Sequence, residues 1–232
     1  NGLIIAIGGC MMQEKHITDK IKESYPFVDI LFGTHTLHKF PEDLYKIIEE
    51  KKKLEDILDI DGKIYEGLPI KRTSKTQASV TIMNGCNNFC TYCIVPYVRG
   101  RERSREPRAI IEEVKKLAKE GYKEITLLGQ NVNSYLRVER EKNIPFEEYE
   151  GVNSFATLLK AVNKIEQIER IRFISPHPKD FTDDVIEAIA TCDKVCKLVH
   201  LPLQSGSTNV LKAMNRKYTK EQYLNLVDKM KS

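Results

Sequence analysis

The sequence lacks any apolar run approaching the ~20 residues a membrane-spanning helix needs, so a membrane span is not expected. It lacks a strong charge excess. The formal net charge is +4, which scattered lysines readily produce and which does not by itself argue a nucleic-acid partner. It also lacks the evenly spread cysteines of a disulfide framework. The six cysteines are clustered, which points to metal or redox chemistry in a reducing compartment, and a cytoplasmic location is the expectation. The composition, 41% hydrophobic and 30% charged over 232 residues, is that of an ordinary globular protein with room for one large or two modest domains. The chain begins with Asn1 directly inside a strand-like run, Leu3–Ile7, and a piece of a longer protein is expected.

Three of the thiols fall within eight residues, Cys86-x₃-Cys90-x₂-Cys93, immediately after the apolar run Val80–Met83. A closed zinc site wants four ligands, and this spacing supplies three. Three thiolates on a [4Fe–4S] cube leave one iron without a protein ligand, and soft thiolates suit that chemistry. Tyr92, just before the last cysteine, can pack beside such a cluster.

Strand and helix patterns alternate along the chain. Strands are expected at 3–7 and 28–32, with helices at 13–24 and 41–53. In the second helix Pro41 suits the first turn, and Leu44, Ile47 and Ile48 share a face. Residues 54–75 are turn-rich and polar and read as a linker. From 76 to 232 four strands (78–83, 124–128, 170–174, 197–201) alternate with helices at 107–120, 154–165 and 182–191, then 207–214 and 219–231. An irregular insertion is expected at about 133–152. Thr219 and Gln222 fit a capping box. Strand followed by helix, repeated, implies a parallel α/β sheet with its chemistry at the carboxyl ends of the strands.

The string Asn84–Arg105, with Cys86-x₃-Cys90-x-Tyr92-Cys93 at its centre, resembles the radical S-adenosylmethionine (SAM) methylthiotransferases. Within them it is most like the tRNA enzymes of the MiaB type. The resemblance implies a partial (β/α)₆ radical SAM barrel over 76–232, two of its strands lying beyond residue 232. Residues 1–53 would be the end of a small α/β N-terminal methylthiotransferase domain. It implies a [4Fe–4S] cluster on Cys86, Cys90 and Cys93, and a second, auxiliary cluster that Cys10, in Gly9-Cys10-Met-Met-Gln13, would share with cysteines before residue 1. It implies SAM as cofactor. The turn Gly129-Gln130-Asn131 would face the SAM amino group, Ser175 the ribose, Gln204 the ribose or carboxylate, and Arg216 the carboxylate. The alternative for Arg216 is an ordinary surface arginine, and His177 between two prolines is equally readable as structural.

The activity implied is methylthiolation of C2 of N6-isopentenyladenosine at position 37 of tRNA. It would use two SAM molecules, sulfur delivered at the auxiliary cluster, and an electron donor such as flavodoxin or ferredoxin. Arg99, Arg101, Arg103 and Arg105, in a run interrupted by Glu102 and Glu106, read as a solvated face or as phosphate contacts to the tRNA. Two alternatives stay open. One is the same chemistry on threonylcarbamoyladenosine tRNA or a ribosomal protein. The other is a non-enzymatic, zinc-holding, Cys-rich RNA-binding module. Cys192 and Cys196, at the end of the sheet opposite the chemistry, read as structural.

Overall fold

Short strands that run parallel, each handed to the next through a helix, build both halves of the chain. The structure, a computed structural model, describes residues 2–58 and 64–232. It divides into two units, residues 1–69 with 94–101, and residues 70–93 with 102–232.

In the first unit, β1 (Ala6–Gly8), β2 (Ile30–Phe32) and β3 (Leu54–Asp56) pair in that order, all parallel. Between β1 and β2 the chain makes a 3₁₀ turn at Cys10–Gln13 and then α1 (Lys15–Ser24); α2 (Phe40–Glu50) connects β2 to β3. Phe32 lies over the backbone of Gly8, where an added Cβ would sit 2.1 Å from the ring. Met12, Val28 and Leu31 form the small core, with Ile5, Ile7, Ile17, Ile21 and Ile57 against it.

Two sequence expectations are corrected here. The stretch read as linker opens with β3, a strand too short and too charged to show as an apolar run. The second helix stops at Glu50 because Lys51 turns left-handed, with φ 53°. Its Ile48 is exposed, and the buried positions are Asp43 and Ile47. Burial, with the Asp56 carboxylate beside it, holds Asp43 above the usual carboxylate range.

In the second unit, β4 (Gln77–Thr81) pairs in parallel with β7 (Glu124–Leu128), and β7 with β8 (Arg170–Phe173). Between β4 and β7 lie β5 (Met83–Asn84), α3 (Val95–Val98), β6 (Arg103–Ser104) and α4 (Pro107–Lys119), α3 belonging to the first unit. The face of α4 is legible in its spacing: Ile110, Ile111, Val114, Leu117 and Ala118 are buried. Each large aliphatic among them contributes about 1.5–3 kcal/mol. Gly121, at φ 95°, ends the helix, and the Tyr122 N–H closes back on the Leu117 carbonyl at 3.1 Å, a left-handed cap that glycine adopts without strain.

The insertion carries a 3₁₀ turn at Val132–Ser134 and α5 (Arg137–Glu141); α6 (Phe155–Asn163) follows, its Ser154 cap reciprocated by Thr157. Phe155 meets Phe173 edge-on at 5.3 Å across the core. After β8 come α7 (Asp183–Thr191), α8 (Thr208–Ala213) and α9 (Lys220–Lys231). Thr219 and Gln222 form the expected capping box at 2.8 and 3.2 Å.

The fourth strand expected at 197–201 does not form among the described residues. The chain begins to pair beside β8, through a parallel bridge of Val195 with Ile171, and then leaves it. β8 itself ends at Phe173, and in the register of that bridge it leaves almost no edge for residues 197–201. Three parallel strands with covering helices form an open sheet, and no closed barrel is present among the described residues. All three strands end on the same edge, which places the cysteine loop after β4 and β5, the Gly129 turn after β7 and the Ser175 loop after β8 together. No helix of the described residues is long and apolar enough to cross a membrane.

Candidate iron–sulfur and SAM site

The cysteine loop is held at its base before any ligand is considered. β5 and β6 pair antiparallel, Met83 with Ser104 and Asn84 with Arg103, so residues 85–102 leave the sheet and return at one point. Asn87 and Glu102 then bond reciprocally: the Asn87 N–H donates to Glu102 Oε1, and the Glu102 N–H to Asn87 Oδ1, both at 3.2 Å. Gln130 reaches over from the end of β7, its Oε1 accepting from the Gly85 N–H at 2.7 Å.

Cys86 and Cys90 are each 7% exposed, and Cys93 is half-buried. Burial, with the Glu102 carboxylate and the other two cysteines nearby, pushes the Cys86 thiol up to about 11. Thiols that repel one another's thiolate charge are a donor set made for a cationic group, because a coordinated metal reverses that logic. Among the described residues no three Cys, His, Asp or Glu side chains converge on a point where one ion could sit. A cube gives each thiolate its own iron, so convergence is not required of it. As a donor set, three thiols leave a closed four-ligand zinc site one ligand short and match the three-thiolate cluster that leaves one iron open.

Behind the loop lies a buried polar network. Asn131 is fully buried; its Nδ2 donates to Glu102 Oε1 at 3.1 Å and to Asp180 Oδ2 at 2.7 Å. Asp180 also accepts from Arg137 and from Lys179 Nζ at 2.8 and 2.9 Å. Two buried carboxylates thus have cationic or amide partners, as burial of charge demands. Asn131 Oδ1 and Asn88 Oδ1 are buried with no hydrogen-bond partner among the described residues, an arrangement that accepts a donor from a ligand. Glu102 is the residue sequence reasoning undervalued. It read as an interruption of an arginine run, and nothing but its position beside the loop signals the hub it forms.

The remaining expected residues fall as follows. Gly129 lacks a Cβ because one would sit 2.7 Å from Met83 Cγ; the close approach seen is to that side chain. Ser175 and Gln204 are exposed and both take positive φ, 60° and 70°. His177 is buried and structural in its contacts: its N–H donates to Asn133 Oδ1 at 2.8 Å, its carbonyl accepts from Asn133 Nδ2 at 3.0 Å, and its Nδ1 accepts from the Lys179 N–H at 3.2 Å.

Arg216 is no surface arginine. It is 5% exposed, and its Nη1 donates to Cys90 Sγ at 3.2 Å and to Tyr92 Oη at 3.3 Å. Arg105 is also interior: its guanidinium bonds the Thr81 carbonyl at 2.6 Å and Glu113 at 2.9 Å. Arg99 and Arg103 are half-buried and Arg101 is exposed. Cys10, in the first unit, is half-buried at the start of the 3₁₀ turn after β1. Cys192 is buried in the core of the second unit, burial raising its thiol, and Cys196 is half-buried beside β8.

The family model described as the radical SAM superfamily matches residues 80–232. The chain belongs to the radical SAM superfamily. That membership implies a [4Fe–4S] cluster and SAM. Curated relatives named tRNA-2-methylthio-N(6)-dimethylallyladenosine synthase, from Clostridium tetani (strain Massachusetts / E88) and Clostridium perfringens (strain 13 / Type A), are 58% and 56% identical over 229 and 230 residues. These alignments take in 99% of the chain and 48% and 49% of the relatives, so the chain spans about half their length.

Among solved structures, the radical SAM methyltransferase TsrM from Kitasatospora setae, with tryptophan substrate and a SAM analog bound, is similar with a TM-score of 0.60 and 14% identity, over 98% of this chain and 47% of that one. The cobalamin-dependent SAM radical enzyme OxsB, with aqua-cobalamin bound, is similar with a TM-score of 0.50 and 14% identity, over 98% and 39%. At those identities the likeness shows the radical SAM fold alone.

Proposed function

We propose that the chain is the SAM-cleaving part of a tRNA methylthiotransferase that modifies C2 of N6-isopentenyladenosine at position 37. The observation that carries this reading is the 58% identity to the C. tetani synthase, which runs through the cysteine loop and both units. The chemistry agrees with it. An unactivated aryl C–H is beyond ordinary acid–base groups, and the cluster with SAM supplies the one-electron chemistry it needs.

The protein's own residues bind, orient and exclude water. Cys86, Cys90 and Cys93 hold the cluster. Asn131 Oδ1, a buried acceptor with no partner among the described residues, suits the SAM ammonium group, and Gly129 and Gln130 shape the turn that presents it. Gln204 and Ser175, on exposed positive-φ loops at the ligand edge of the sheet, suit the ribose and carboxylate. Cys10 would be a ligand of the auxiliary cluster, a group whose chemistry would be sulfur donation, with the methyl coming from a second SAM. Arg99, Arg101 and Arg103 contact tRNA phosphates, while Arg105 is committed to Glu113. A flavodoxin or ferredoxin supplies the electron, in the cytoplasm.

The test is mass spectrometry of nucleosides digested from tRNA after reaction with the full-length protein. Conversion of N6-isopentenyladenosine to its 2-methylthio derivative is expected. Modification only of threonylcarbamoyladenosine tRNA, or only of a ribosomal protein, would reassign the substrate.

A further inference from the structure

The cysteine loop is gripped by a segment more than a hundred residues away in sequence. After α8 the chain turns at Asn215, left-handed with φ 57°. Asn215 Nδ2 donates to the carbonyls of Asn88 and Phe89, at 3.1 and 2.9 Å. The Met214 carbonyl accepts from the Thr91 N–H at 3.2 Å. Between these two holds Arg216 reaches the Cys90 sulfur at 3.2 Å. Tyr218 aims it: Arg216 Nε donates to Tyr218 Oη at 3.1 Å, and that hydroxyl donates on to the Leu203 carbonyl at 2.9 Å.

Arg216 is buried, yet none of the described ion pairs includes it; its partners are Cys90 Sγ and the hydroxyls of Tyr92 and Tyr218. An arginine does not give up its proton, and a buried charge without an opposite charge is strongly destabilising. Of these described partners the Cys90 sulfur is the natural carrier of that opposite charge, because a thiol ionises more readily than a phenol and a metal-held thiol is deprotonated outright.

We propose that Arg216 is a positioning residue for the cluster: it is the counter-charge of the Cys90 thiolate, it sets the cluster's reduction potential, and Asn215 holds the loop backbone that presents the sulfur. The proposal rests on the reading that the three cysteines hold a [4Fe–4S] cluster. Hydrogen bonds to ligand sulfurs and local charge are among the levers that set such potentials. The reduced cluster carries one more negative charge, so a cationic donor on a ligand sulfur favours reduction.

The experiment is anaerobic reconstitution followed by an EPR-monitored redox titration of the wild type and of Arg216→Gln, Arg216→Lys, Tyr218→Phe and Asn215→Ala. Arg216→Gln is expected to disfavour reduction at least tenfold, about 59 mV more negative for a one-electron couple. Arg216→Lys should recover part of that shift. Tyr218→Phe keeps the guanidinium but loses the acceptor that aims it, and should shift the potential the same way by less. Asn215→Ala should retain less iron and sulfide per chain without moving the potential of what it retains. If Arg216→Gln holds no cluster, Tyr218→Phe decides, with a shift of the same sign supporting the proposal and none overturning it. A wild-type cluster whose potential moves less than twofold, about 18 mV, in Arg216→Gln overturns this proposal and leaves the cluster reading intact. Wild-type protein that takes up zinc and no iron–sulfur cluster overturns both.

Discussion

Acidification from pH 7 to pH 5 is expected to cost the fold about 2 kcal/mol through one side chain, His177. Burial, with the positive charges of Arg216 and Lys179 facing it, pushes its pKa down to about 3 from 6.5. Between those two values the unfolded chain takes up a proton that the folded chain refuses. The unfolded state then binds more protons, and stability falls as pH falls. The slope approaches 1.36 kcal/mol per pH unit and is already near its full value at pH 5.5; integrated from pH 7 to pH 5 it gives about 2 kcal/mol. The assay is urea unfolding at both pH values, for the wild type and for His177→Gln, whose amide oxygen can still accept from the Lys179 N–H. Asp43, held high in the first unit, titrates in the opposite sense, but it does so equally in both proteins. The wild type should lose about 2 kcal/mol more than the variant on acidification. Parallel losses would refute the reasoning and mean that the imidazole is protonated in the folded state.

Other consequences follow from single contacts. Gly129→Ala forces a methyl to 2.7 Å from Met83 Cγ and should cost about 1–3 kcal/mol by overpacking, measured by urea unfolding; Met83→Ala in the same chain should relieve part of it, whereas strict additivity would deny the contact. Glu113→Gln removes the carboxylate that both Arg72 and Arg105 bond. A loss of about 1.5–3 kcal/mol is expected, and a change under about 0.5 kcal/mol, the ordinary surface value, would mean that the ion pairs are solvated. Cys192→Ser and Cys196→Ser should leave the iron and sulfide content after reconstitution unchanged, because both thiols belong to the core and edge of the second unit; lost iron would make them ligands.

What was legible in the sequence was what periodic patterns and local spacing write. The helix at 107–120 shows its buried face as Ile110, Ile111, Val114 and Leu117. Gly121 marks its end, Thr219 and Gln222 announce a cap, and the cysteine motif points to the superfamily to which the chain belongs. What was not legible depends on partners distant in the chain. Leu54–Asp56 is a strand only because β2 lies beside it. Residues 197–201 have a strand's composition, but β8 ends at Phe173 and leaves them almost no edge to pair with. Arg105 and Arg101 look alike in sequence, yet the first is spent on Glu113 and the second is exposed. Asn215 and Arg216 act on residues 88–92, across a separation that no local pattern encodes.

The account stands on Cys86, Cys90 and Cys93 holding a cluster with one iron open to SAM. The measurement that tests it most directly is EPR of the anaerobically reconstituted, dithionite-reduced protein, with and without SAM, in the wild type and Cys86→Ala. The account predicts a [4Fe–4S]⁺ signal that SAM perturbs and that Cys86→Ala abolishes. A colourless protein that binds zinc tightly and gives no such signal would contradict it.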